Sequence, residues 1–194
     1  MRSLYILLPT VALLTAALPV HAEWTLENSS SQLSFVTIKA TDVAEVDTFT
    51  ELSGSVGVDG HARVVIELAS VDTLIPIRDE RMREILFQTD VFPTATAEAQ
   101  LDLNRLQGLA RGASTVVSTE LLFSIGDADL PITTDLLVAR LAEDRMLVAT
   151  LKPIIVNADA VSLAAGVEQL REIAGLPSIS KAVPVSFVLQ FVGD

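Results

Sequence analysis

The segment Ala95-Thr96-Ala97-Glu98-Ala99-Gln100-Leu101-Asp102-Leu103 alternates apolar and polar side chains without a break. A strand places successive side chains on opposite faces, so this period of two predicts a β-strand buried on one face and wet on the other. The alternation returns at Val185, Phe187, Leu189 and Phe191, and from Thr115 to Phe123. Trp24 to Leu26 and Leu33 to Lys39 also read as strands. Val56 to Val58 and Val64 to Leu68 flank Asp59-Gly60, a pair that favours a tight hairpin. Asp135 to Ala142 and Arg145 to Leu151 flank Glu143-Asp144 similarly, and Gly126 to Pro131 predicts a further turn.

Two segments follow a helical period instead. Asp79 to Leu86 spaces Met82, Ile85 and Leu86 for one helix face. Ser162 to Ala174 puts Leu163, Val167, Leu170 and Ala174 on one stripe, with Ser162 as N-cap and Gly175 as stop. The expected fold is all-β and antiparallel, with about eight to ten strands and two short helices. Such a chain forms a sandwich or a closed barrel, and closure removes exposed edges. Three consecutive inward positions, Ala95, Ala97 and Ala99, admit either a closely packed helix or an internal cavity. The residues leave both open.

Residues 1–22 predict a signal peptide. Arg2 precedes an apolar run from Leu4 to Leu18, and Val20-His21-Ala22 places small residues at a cleavage site. The run is short for a membrane span. Cleavage after Ala22 leaves residues 23–194 as one exported, periplasmic domain, with no later segment long and apolar enough for stable membrane insertion. The chain has no cysteine, so it holds neither a disulfide framework nor a lipoprotein anchor. An uncrosslinked domain of this size relies on its core, burying roughly two-thirds of its unfolded surface. Loss of Arg2 leaves 12 basic residues against 25 acidic, a net charge of −13. That charge repels phosphate backbones and excludes nucleic acid as a partner.

Few residues can support catalysis. His61 is the one histidine left after cleavage and sits beside a turn, as a solvated side chain. Zinc, haem and thiol sites lack ligands, no GxSxG elbow surrounds a serine, and no glycine-rich phosphate loop is present. No catalytic residue, metal or cofactor is therefore assigned. Paired carboxylates remain as an alternative, with Asp72, Asp79 and Glu80 the first suspects. Asn28-Ser29-Ser30 matches a glycosylation acceptor and is read as incidental.

Polar residues crowd the stretch from Ala69 to Phe87, where a strand gives way to a helix. Asp79 and Glu80 suit a helix's first turn. Asp79 and Arg83 are spaced as an i,i+4 ion pair, and Ser70, Asp72 and Thr73 can bond local backbone. Arg78 is the candidate for contact with a ligand.

Ser70-Val71-Asp72-Thr73, then Arg78-Asp79 and Arg81-Met82-Arg83, resembles the signature of the YceI-like polyisoprenoid-binding family. Leu86-Phe87, Phe92-Pro93 into Thr94-Ala95-Thr96, and Leu176-Pro177-Ser178-Ile179 before Val183 to Phe187 fit its continuation, as do Ser31 to Ile38 and Glu45 to Gly54. The resemblance implies a lipocalin-like antiparallel β-barrel, usually eight-stranded, enclosing an elongated apolar channel. It implies a periplasmic carrier or store for a long isoprenoid or similar amphiphile, quinone-like lipids included, and not an enzyme. Expected lining residues are Phe35, Ala97, Ala99, Leu101, Phe123, Phe187 and Leu189, with Arg78 at the mouth. Many relatives carry histidines in the segments matched by Thr37 to Val46 and Leu122 to Ile132. This chain has none there, which separates its head-group preference from theirs. A carboxylate-dependent enzyme acting on a lipid or small amide, and a filled-core envelope stress or interaction protein, are the competing readings. A homodimer and a membrane-protein partner stay open.

Overall fold

Alternating segments become strands wherever one face can be buried, and the computed structural model, which describes residues 22–193, contains twelve. The expected signal peptide lies, apart from Ala22, outside the described residues. The strands are β1 (Ala22–Leu26), β2 (Gln32–Lys39), β3 (Val43–Phe49), β4 (Leu52–Gly57), β5 (His61–Glu67) and β6 (Val71–Asp72). The second half holds β7 (Thr94–Gln100), β8 (Ser114–Ile125), β9 (Ala128–Ala142), β10 (Arg145–Thr150), β11 (Ile154–Asn157) and β12 (Ala182–Gly193). Strands β1, β4, β5, β7, β8, β9, β10 and β12 pair in that order, all antiparallel, and β12 returns to β1. The result is a closed eight-stranded barrel.

The other four strands extend this ring along its axis. β2 pairs with β12 above β1, β3 with β2, β6 with β3, and β11 with the start of β12. Pairs such as β1–β2, β3–β4 and β5–β6 thus form kinked staves of one long barrel. Polar side chains stitch the kinks together. Asn28 Nδ2 donates to Thr50 O at 3.0 Å, while Asn28 Oδ1 accepts from Leu52 N at 2.9 Å. Ser70 Oγ donates to Glu67 O at 2.6 Å and accepts from Glu51 N at 3.0 Å. Each bond satisfies backbone that the broken ladder would leave unpaired. The apparent glycosylation asparagine is therefore a structural residue of the fold.

Three helices accompany the barrel: α1 (Pro76–Arg81), α2 (Leu103–Gln107) and α3 (Ala164–Ile173). Helix α1 begins at Pro76, whose fixed φ suits a first helical turn, and runs into a π-helical turn at Met82–Phe87. That turn packs against α3. Gly166 lies so close to Leu86 that an added Cβ would stand 3.1 Å from the Leu86 Cα. Helix α2 was not foreseen. The alternation predicted a strand through Leu103, but β7 ends at Gln100, and Asp102 caps the new helix by accepting from Asn104 N at 3.1 Å. Ser162 is not the N-cap of α3. It adopts a φ of +60°, and Leu163 occupies the cap position without a side-chain bond. Gly175 does stop that helix, at φ +64°, with Gly175 N bonding Glu172 O and Leu176 N bonding Arg171 O, each at 3.0 Å. The expected turn from Gly126 to Pro131 shrinks to Gly126-Asp127, because β9 runs on through Pro131.

Candidate functional site: an apolar cavity with a charged end

Small inward side chains on β7 leave space that their neighbours do not fill. A cavity of about 610 Å³ runs through the barrel, within the range of sites that hold one ligand. Ala95, Ala97 and Ala99 line it along β7, with Leu101 just beyond. Phe123 stands opposite Ala97 on β8, and Phe35 comes from β2. Phe187 and Leu189 project from β12. All seven apolar positions expected from the sequence thus face one space, and Arg78 joins them at its charged end. Met82 and Leu86 of the π turn, with Leu163, Val167 and Leu170 from α3 and its cap, complete the wall. Between the two readings of the alanines, the cavity holds.

Apart from Arg140 and the indole of Trp24, the polar side chains lining the cavity belong to Thr37, Lys39, Asp47, Arg78, Arg81 and Ser180. Arg140 and Trp24 also line it, with the Arg140 guanidinium 6.0 Å from the Trp24 ring centroid. Ile75 and Ile77 line the cavity beside Arg78 yet keep 44% and 53% of their surface in solvent, so the cavity opens there. Leu74 next to them is 85% exposed at φ +61°, its N–H held by Asp72 Oδ1 at 2.8 Å. A bulky residue rarely adopts that backbone conformation. The turn therefore presents an apolar rim at the opening.

The charged end is built from β2, β3 and α1. Register pairs Thr37 with Glu45 and Phe35 with Asp47, placing Asp47 on the inward face with Phe49. Asp47 is 2% exposed; its Oδ2 accepts from Thr37 Oγ1 at 3.0 Å, and Arg78 Nη2 lies 3.5 Å from its Oδ1. Arg78 also donates to Thr73 O at 2.6 Å and to Glu45, which is shared with Lys39. Burial pushes the Asp47 carboxyl above the usual aspartate range despite the Thr37 bond and the nearby Arg78 and Lys39 charges. Glu45 moves the other way, chiefly through its bond to Lys39 and then that to Arg78.

Asp79 does not pair with Arg83. It is 9% exposed, and its Oδ1 accepts from Thr73 N at 2.9 Å and from Thr73 Oγ1. Arg83 reaches Ala69 O instead, at 3.5 Å. The carboxylate thus ties the end of β6 to α1. Replacing Asp79 with Ala leaves the buried Thr73 N–H without an acceptor and is expected to cost about 2 kcal/mol, read as a lower denaturation midpoint at unchanged slope.

Asp72, Asp79 and Glu80 do not converge on the cavity, since none of them lines it. His61 is exposed, 3.9 Å from Glu98. Among the described residues no group of His, Cys, Asp or Glu could hold a metal ion, and no helix is long and apolar enough to cross a membrane. The sequence reading missed Thr37, Lys39, Glu45 and Asp47. The one available signal was parity: Asp47 shares the face of Phe49, an inward aromatic.

A YceI-like domain model matches residues 24–191. A polyisoprenoid-binding domain from Saccharophagus degradans, implicated in plant cell wall breakdown, is 37% identical with a TM-score of 0.88. The match covers 90% of this chain and all of that one. Burkholderia cenocepacia BcnA shares the fold at 17% identity and a TM-score of 0.66, over 85% of this chain and 98% of its own. No curated protein matches the chain. Family model, barrel and cavity agree, and the chain belongs to the YceI-like family.

Proposed function

We propose that the protein shelters the tail of a long isoprenoid or similar amphiphile in its barrel and carries or stores it in the periplasm, without catalysis. The observation that carries this reading is the cavity: hydrocarbon side chains line its length, and charge gathers at an opening rimmed by Ile75 and Ile77. An apolar tail gains about 0.8 kcal/mol for each CH₂ removed from water, so length alone confers affinity. The Saccharophagus domain, described as polyisoprenoid-binding, supports the choice of tail. The signal peptide read over residues 1–22 supports export.

Trp24 is the chain's one tryptophan and lines the cavity, so it reports occupancy. Titrating a long polyprenol into delipidated protein is expected to shift Trp24 emission saturably, at near one lipid per chain. Emission unchanged while lipid stays unbound in a parallel partition assay would refute the reading.

A further inference from the structure

A leucine held in a strained conformation with its side chain in water is costly twice over. Leu74 is such a residue: its φ of +61° is one a bulky side chain rarely adopts, and 85% of its surface is exposed. The turn is fastened on every side. Asp72 Oδ1 accepts from Leu74 N, Asp79 Oδ1 accepts from Thr73 N, and Thr73 O accepts from Arg78 Nη2. Strain enforced in this way clusters at functional sites.

Leu74 has apolar company. Ile75 and Ile77 follow it, each partly in solvent and partly in the cavity mouth. Val46, 66% exposed, lies on the outer face of β3 two residues from Thr48, which pairs with Asp72. Exposed apolar residues gathered at one place mark an interaction surface.

Shape, charge and cargo define the partner. Leu74 is the tip of a projecting turn, and such a tip enters the boundary between lipid heads and chains without needing a matching pocket. Residues 72–84 carry Arg78, Arg81 and Arg83 against Asp72, Asp79, Glu80 and Glu84, and the chain as a whole is acidic. This segment is therefore not a basic patch that would seek an anionic surface. A long isoprenoid is driven from water into bilayers by its tail, so the opening of its carrier has to meet a bilayer.

Resting on the lipid-binding reading above, we propose that the Leu74 turn, with Ile75, Ile77 and Val46, docks the protein on a zwitterionic bilayer and exchanges lipid across the opening. The four side chains bring at most the hydrocarbon of one myristoyl chain, which alone binds membranes marginally and reversibly. Docking is thus transient, as exchange requires.

Leu74→Asn separates docking from structure. Asparagine tolerates a positive φ and removes the apolar tip, and Leu74 does not line the cavity, so melting temperature and lipid capacity should hold. The rate measured is polyprenol transfer from phosphatidylcholine vesicles to delipidated protein, followed by Trp24 emission. Flotation of the protein on the same vesicles, without polyprenol, accompanies it. The wild-type rate is expected to rise with vesicle concentration, as contact requires. It should fall roughly tenfold in Leu74→Asn, the value of burying most of one leucine, and flotation should fall with it. Adding phosphatidylglycerol should leave the rate no higher; a severalfold rise would overturn the zwitterionic assignment. A rate independent of vesicle concentration, or Leu74→Asn exchanging at the wild-type rate, overturns docking. Self-association in sedimentation that Leu74→Asn abolishes would give the rim to a second copy and overturn it too. Uptake of polyprenol from an ethanol dispersion tests the lipid-binding reading separately. No uptake there overturns that reading, while flotation still decides docking.

Discussion

Replacing Ala97 with Phe blocks the barrel at mid-length and lowers affinity for a long polyprenol at least 100-fold. Ala97 lines the cavity between Val64 on β5 and Phe123 on β8, two residues that line it themselves. A benzyl group there takes the space of roughly four methylenes, worth about 3 kcal/mol at 0.8 kcal/mol each, or more than two powers of ten. The loss grows further because tail beyond the obstruction stays in water. Stability should hold or rise slightly, since the ring enters existing space. Binding at full strength in a folded Ala97→Phe protein would show that the lipid sits elsewhere.

Arg78→Ala is expected to have the largest effect on stability. Asp47 is 2% exposed, and its guanidinium neighbour is 21% exposed. Removing one member of such a pair leaves a buried charge without compensation, at about 3 kcal/mol or more. The deficit depends on pH in a defined direction. Asp47 already has a folded-state pKa above its unfolded value, because burial disfavours its charged form. In the folded state it therefore holds its proton to higher pH than in the unfolded chain. Stability contributed by this group then falls as pH rises from the unfolded pKa through the folded one. The Arg78→Ala deficit should be greatest near neutrality and shrink on acidification, as Asp47 takes a proton. Glu45 opposes this trend, since its lowered pKa gives stability that is lost as pH falls through it. Adding Asp47→Asn to Arg78→Ala removes the uncompensated charge and should recover much of the loss at pH 7 in denaturant titrations. No recovery would mean that Arg78 acts through Thr73 and Glu45 alone.

Strand positions were legible because one face of each was buried and the period of two was unbroken, as along β7. Inward apolar residues such as Phe35, Phe187 and Leu189 followed from the same parity. Two kinds of feature were not legible. Helix α2 has no amphipathic stripe of useful length, and Leu101 and Leu103 continue the strand pattern across its start, so only the Asp102 cap marks the change. The charged end was hidden for another reason. Lys39, Glu45 and Asp47 look like ordinary strand charges until the register of β2 on β3 turns Asp47 inward and α1 brings Arg78 onto it. The Asp79–Arg83 spacing was a sound helical pair, but Thr73, six residues earlier, claimed the carboxylate first.

The same geometry explains why the stretch from Ser70 to Arg83 serves several ends. Ser70 mends the kink between β5 and β6, Asp72 turns Leu74 out to the rim, Asp79 fastens α1, and Arg78 closes the charged end. Those tasks need donors and acceptors at fixed positions, and none of them requires a nucleophile or a general base.

Whether the cavity holds a long isoprenoid is tested most directly by purifying the protein in mild buffer, extracting it into organic solvent and weighing the extract by mass spectrometry. The expected result is one long-chain isoprenoid, near one per chain, and much less from Ala97→Phe. An extract free of lipid, from protein that also takes up no added polyprenol, would contradict it.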